Sequence, residues 1–167
     1  MNTSLSQQER EAYQNPDVIR HLLHFAQNIA IVGLSDKPQR ASNFVGSYLK
    51  SEGFNVIPVN PMKEEILGEK SYPDLKSVPY KIDIVDIFRR PQDCKDLVNE
   101  AIEVGAKAVW MQLSIVNREA AKLAVDHGLE VIMDRCVKME HGRYNGNLHW
   151  VGMNTEIITA KKAARFF

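Results

Sequence analysis

Cysteine is scarce in this chain: Cys94 and Cys136 are the two among 167 residues. They lie far apart and form no Cys-x-x-Cys pair, which argues against a disulfide scaffold and a thiolate zinc site. Net charge is missing as well. Lys plus Arg number 21 and Asp plus Glu number 21, so the chain lacks the excess positive charge on which general nucleic-acid and anionic-membrane binding rely. No apolar run approaches the roughly 20 residues of a membrane span. Met1 to Arg10 is polar, with no apolar segment of a signal peptide. Repeats, low-complexity segments and linkers are absent too. The expectation is one domain over residues 1–167, in a reducing cytoplasm, with neither a nucleic acid nor a membrane as partner.

What is present is alternation. Short apolar runs at Ile29–Val32, Val56–Val59, Ile82–Phe88, Ala108–Met111 and Val131–Met133 are rich in β-branched residues and do not alternate strictly. Such runs suit strands buried on both faces of a parallel sheet. Between them, Ala41 to Glu52, Asp93 to Val104 and Asn117 to His127 carry helical apolar spacing, and each stops at a glycine: Gly53, Gly105 and Gly128. A further helix is expected over about Pro16 to Phe25. The pattern predicts an α/β fold: a Rossmann-like three-layer sandwich around a doubly wound, mainly parallel five-stranded sheet. The segment Asn60 to Lys81 contains Pro61, Gly68, Pro73 and Pro79. It cannot be one regular helix and is expected to cross the surface near a ligand. Asn145-Gly146 suggests a turn, and Thr155 to Arg165 a last helix.

In such sheets ligands lie beyond the carboxyl ends of the strands, where strand order reverses. The loops expected there contain Lys37, Arg40, Lys63, Arg89, Arg90 and Arg135. Local positive charge at a helix N-terminus in a neutral protein suits a phosphate-bearing small molecule. The competing reading pairs some of these cations with Asp36, Asp93 or Asp134.

The familiar phosphate fingerprints are incomplete. Only Gly33 of a Gly-x-Gly-x-x-Gly motif is in place, Ser35 occupies the second glycine position, and strand two ends in Val59-Asn60 rather than an acid. No Gly-Lys-Ser/Thr follows strand one. NAD and ATP both lose ground. Gly33-Leu34-Ser35 lacks the second glycine of a nucleophile elbow, so Ser35 reads as a phosphate or backbone hydrogen bonder. His21, His24, His141 and His149 form no metal set. Asp83 and Asp86 fall on opposite faces of their strand and make no acid–base pair. Cys136 has two readings: a thiol activated by Arg135 and Lys138, or a small packed side chain.

Taken together, these segments resemble the small stand-alone CoA-binding proteins, relatives of the N-terminal CoA-binding domain of the succinyl-CoA synthetase α subunit. The matching stretches are Ile29–Ser35, Val56–Pro61, Ile66–Glu69 with Tyr72-Pro73, Asp83–Arg90, Ala108–Gln112 and Met133–Cys136. The likeness runs from about Val18 to His141. It implies a domain that binds coenzyme A, or an acyl-CoA, through its adenosine diphosphate part and has no chemistry of its own. It places Gly33 and Ser35 at the phosphates, with Lys37 and Arg40 as charge partners. Asn60, Pro61, Tyr72 and Pro73 would border the nucleotide, Phe88 and Arg89 would form the far wall, and Trp110 and Gln112 would lie toward the pantetheine. Cys136 sits on the same edge. The alternatives are a CoA-dependent thiol or acyl enzyme using Cys136, and an NAD-sensing regulatory module. Residues 142–167 extend beyond the resemblance; they could cover the cleft, cap the sheet or form a homodimer contact.

Overall fold

The computed structural model describes residues 4–145. The expected Asn145-Gly146 turn reaches beyond them, and His149 and the helix over Thr155–Arg165 lie outside them. Five parallel strands form the sheet: β1 (Asn28–Val32), β2 (Asn55–Val59), β5 (Ile84–Ile87), β6 (Ala108–Met111) and β7 (Glu130–Ile132), in the order β2-β1-β5-β6-β7. Chain order reverses between β1 and β5, so the switch point lies at their carboxyl ends.

Winding in both directions puts helices on both faces. Helices α2 (Pro16–Phe25), α3 (Ala41–Ser51) and α6 (Val137–Asn145) cover one face, burying Ile19, Leu22, Val45 and Leu49 against Ile29, Ile31, Ile84 and Trp110. Helices α4 (Cys94–Glu103) and α5 (Arg118–Asp126) cover the other, with Val98, Ala101, Ala120 and Ala124 against Ala30, Val85, Val109 and Met111. Every strand residue of β5 and β6 is buried, which is why those runs do not alternate.

Local chemistry starts and stops these helices. The Asn15 side chain accepts from the N–H groups of Asp17 and Val18 at the start of α2, and Pro16 loses no helical bond at the first position. Asn117 caps α5 through the Ala120 N–H. The glycines expected after α3, α4 and α5 all take the left-handed conformation. Two helices were not expected. Ser6 and Glu9 form a capping box at α1 (Gln7–Tyr13), which Arg118 holds through Glu9. Helix α6 follows β7 directly and carries residues 142–145 of the segment read as an extension.

The proline-rich connection after β2 holds a short antiparallel hairpin, β3 (Glu65–Ile66) with β4 (Glu69–Lys70). Tyr72 then bridges to Val59 in parallel and returns the chain to the sheet edge. Among the described residues, no helix is long and apolar enough to cross a membrane.

Candidate functional site: a cleft at the switch point

At the end of β1 the chain turns at Gly33, with φ +86°. A Cβ there would lie 2.3 Å from the carbonyl oxygen of Phe88, which follows β5. Glycine alone lets the two strand ends approach, and its N–H donates to the Val59 carbonyl at 3.0 Å. Asn60, just past β2, donates from Nδ2 to the Leu34 carbonyl at 2.9 Å and accepts from the Met62 N–H at 2.8 Å. Two loops are thereby held side by side. Between them and the Pro73 turn opens a cleft of ≈ 160 Å³ lined by Gly33, Asn60, Pro61, Pro73 and Arg89. The structure thus gathers five of the expected residues from four separate segments.

The phosphate loop runs from Gly33 into α3. The Ser35 N–H donates to the Ser42 hydroxyl at 3.0 Å, and the Ser35 hydroxyl accepts from the Lys37 N–H at 3.1 Å. Asn43 donates to the Ser35 carbonyl. Ser35 therefore shapes the loop as a turn residue. Arg40 precedes α3 without a side-chain cap, and the first turn holds no acid. That end keeps the partial positive charge of its N–H groups.

Both readings of the basic loops are realised in part. Lys63 pairs with Asp36 at 2.8 Å and Arg90 with Asp93 at 3.0 Å. Arg135 stands 3.8 Å from Glu140. Lys37, Arg40 and Arg89 are exposed, and their side chains form no hydrogen bond or salt bridge among the described residues. Arg40 stands at the start of α3, Lys37 in the loop before it, and Arg89 lines the cleft.

Other expected residues stand elsewhere. Tyr72 is buried in the core, where its backbone extends β2; it does not line the cleft. Trp110 is fully buried, with its indole N–H donating to the Arg135 carbonyl at 2.8 Å. Gln112 is also buried and donates to Asp86 at 2.6 Å. Phe88 is half-buried and packs against the α3 face. The two-sided cover of the sheet explains these positions: β6 is buried along its whole length, and Gln112, the residue just after it, is buried too.

Cys136 departs from the activated-thiol reading. Burial pushes its thiol above the usual value, although the N–H groups of Lys138 and Met139 act in the opposite direction. Of the expected cations, the Lys138 charge lowers the thiol pKa, but less than burial raises it. Arg135 faces Glu140, and the Lys138 ammonium sits 4.5 Å from the Phe44 ring centroid. Cys94 is wholly buried, and burial pushes its thiol up to about 11.

Sequence reasoning missed two carboxyl groups in the cleft and the burial of a third, Asp86. Asp74 and Glu100 line the cleft. Asp74 accepts from the Ser77 N–H and hydroxyl, which hold its carboxyl below the usual range. Glu100 accepts from the Leu75 N–H at 3.3 Å. Neither follows β2, where a dinucleotide fingerprint puts its acid. Asp74 was visible in sequence only as the residue after Pro73. Asp86 is the third: it is 0% exposed, in mid-sheet on β5. Burial pushes its carboxyl up to about 7, with the Gln112 bond opposing.

The family whose profile is described as "CoA binding domain" matches residues 27–142, the span that contains the sheet, the cleft and the first residues of α6. The chain belongs to this CoA-binding domain family. It is 40% identical over 130 residues to the uncharacterized protein YneT of Bacillus subtilis, covering 77% of this chain and 96% of that one. It is 28% identical over 147 residues to the α subunit of ADP-forming acetate–CoA ligase II of Pyrococcus furiosus, covering 81% of this chain. The match spans 31% of that subunit. A solved structure described as a hypothetical protein from Pyrococcus horikoshii superposes with TM-score 0.75 at 40% identity, covering 86% of this chain and 94% of the other. The CoA-binding fold thus recurs both as small proteins and as a segment of larger ligases.

Proposed function

We propose that this protein binds coenzyme A, or an acyl-CoA, through its adenosine diphosphate part, and that it performs no ligase step of its own. The carrying observation is the switch-point cleft lined by Gly33, Asn60, Pro61, Pro73 and Arg89, with the loop that leads through the exposed Lys37 and Arg40 to the uncapped start of α3. The pyrophosphate would meet the N–H groups at the uncapped α3 N-terminus. Arg89 and Lys37 would neutralise it with charge-assisted bonds. Adenosine would rest in the cleft against Pro61 and Pro73, its sugar hydroxyls within the reach of polar groups such as Asn60. Pantetheine would run past Phe88 toward the carboxyl ends of β5 and β6. Membership of the family and likeness to a CoA ligase subunit support this reading.

One observation favours a second reading, a module that senses NAD. Asp74 and Glu100 put carboxylates in the cleft, and carboxylates are the usual partners of a nicotinamide cofactor's ribose diol. Thermal melts with CoA, acetyl-CoA, NAD and ADP at equal concentration separate the two. A ligand at 100 times its Kd stabilises by about 2.7 kcal/mol, which at this size raises Tm by roughly 5–10 °C. The CoA reading expects that shift with CoA and a smaller one with NAD. A shift with NAD alone would replace it with the second reading.

A further inference from the structure

A second cavity lies at the far edge of the sheet, beyond the carboxyl end of β7. Its volume is ≈ 300 Å³, at the lower end of small-molecule sites. The junction of α1 and α2 is fastened there. Gln14 donates from Nε2 to the Met133 and Asp134 carbonyls at 3.1 and 3.3 Å, and the Met133 N–H donates to the Tyr13 carbonyl at 3.0 Å. Asp134 takes φ +58°, and Arg135, the next residue, lines the cavity. Arg10 from α1 and Arg143 from α6 line it too, together with Glu11 and Glu140. Glu140 and Arg143 are both buried. The Glu140 carboxyl stands 3.8 Å from Arg135 and 3.6 Å from Arg143, and both separations exceed hydrogen-bond length. Burial pushes this carboxyl above its usual range, with the two arginines opposing. The exposed Arg10 side chain forms no hydrogen bond or ion pair among the described residues. Arg10 and Arg135 therefore bring guanidinium donors to the cavity that no protein acceptor takes up.

Three guanidinium groups against two carboxylates leave the lining with one positive charge in excess. Charge in a largely buried cluster is costly unless it is paired, and the guanidinium fork matches the two oxygens of a carboxylate. We propose that this cavity binds a small organic monocarboxylate, whose carboxylate is held by Arg10 and Arg135. One negative charge balances the excess. A phosphate dianion would bring a second charge toward Glu11 and Glu140. Pro16, Ile19 and Tyr144 also line the cavity, and their apolar surface suits a carbon skeleton better than a bare inorganic anion. The inference stands apart from the CoA reading: the cavity and the switch-point cleft share no lining residue.

The test is titration of the full chain with acetate, pyruvate, lactate and benzoate, followed by calorimetry and ligand-observed NMR. Inorganic phosphate and chloride at matched ionic strength are the comparison anions. At least one monocarboxylate should bind with a Kd below about 1 mM, and about tenfold or more tightly than phosphate. Arg10→Ala and Arg135→Gln should each weaken that binding about tenfold or more. Arg89→Ala, in the cleft, should leave it unchanged, and saturating CoA should not displace it. Arg10→Ala should keep the unliganded Tm, because that side chain is exposed. Four results would each overturn the proposal: no monocarboxylate binds, phosphate binds as tightly, both arginine variants keep full affinity, or CoA or Arg89→Ala removes the binding. A fall in the unliganded Tm of Arg10→Ala would overturn it too, by showing that a group of the protein itself already meets that guanidinium. CoA titrations on the same variants read the cleft separately, so the two assignments fail independently.

Discussion

The amide of Gln112 lies 2.6 Å from Oδ1 of Asp86, and the Asp86 carboxyl is sealed from solvent within the sheet. An isolated carboxylate there would meet a low dielectric with one amide donor to offset its desolvation. The balance favours the protonated acid, whose pKa rises to about 7.

This relationship predicts an unusual pH dependence. The unfolded chain releases the Asp86 proton near pH 4, and the folded chain holds it to about 7. Between those values the native state binds more protons than the unfolded one. Stability from this group is therefore full below about pH 4, falls as pH rises, and is lost above about 7, by an amount on the order of a few kcal/mol. Asp86→Asn should flatten that slope. Urea midpoints from pH 5 to pH 8 check it; parallel slopes in both proteins would contradict it.

Gly33→Ala should damage both fold and site. The new methyl would press on the Phe88 carbonyl and hold a non-glycine residue at positive φ. A loss on the order of 1–3 kcal/mol is expected, together with a cleft that no longer admits the phosphates. Chemical denaturation and ligand melts on the same protein read the two effects.

Lys37→Ala and Arg89→Ala should leave unliganded stability within about 0.5 kcal/mol, because both side chains are exposed and form no salt bridge among the described residues. Each should weaken CoA binding by about 1–3 kcal/mol. Calorimetric titration is the measurement. Unchanged affinity in both would remove them from the site.

Asp83→Ala should do the opposite. Oδ2 of Asp83 accepts from the Gln27 and Asn28 N–H groups at 2.9 Å, and Lys107 stands 3.1 Å from Oδ1. Losing these bonds at the amino end of the sheet should cost about 1–3 kcal/mol, or roughly 2–4 °C of Tm per kcal/mol. CoA affinity should not change, since the cleft is at the carboxyl end.

The sheet was legible because its signals are local. Short, non-alternating, mostly apolar runs mark Ile84–Ile87 and Ala108–Met111, and glycines mark the ends of three helices. Gly33, Asn60, Pro61 and Arg89 could be placed together because the switch-point rule converts strand order into position; Pro73 was placed there by the family resemblance. The misses have equally physical causes. Trp110 and Gln112 were read as ligand-facing from their place near a strand end, yet helices on both faces bury that strand end in the core. Asp74 and Glu100 reach the cleft from a turn and from α4 on the opposite face, a contact made only by tertiary packing. Helix α6 is too weakly amphipathic to announce itself: Glu140, His141 and Arg143 are buried in it. The high pKa of Asp86 depends on burial, which no spacing rule reports.

The most direct test of the central assignment is calorimetric titration of CoA into the protein, alone and in the presence of saturating ADP. If the adenosine diphosphate part is what the Gly33–Arg89 cleft holds, ADP should compete and lower the apparent CoA affinity in proportion to its own occupancy. CoA binding that is indifferent to ADP, or absent while NAD binds, would contradict the account.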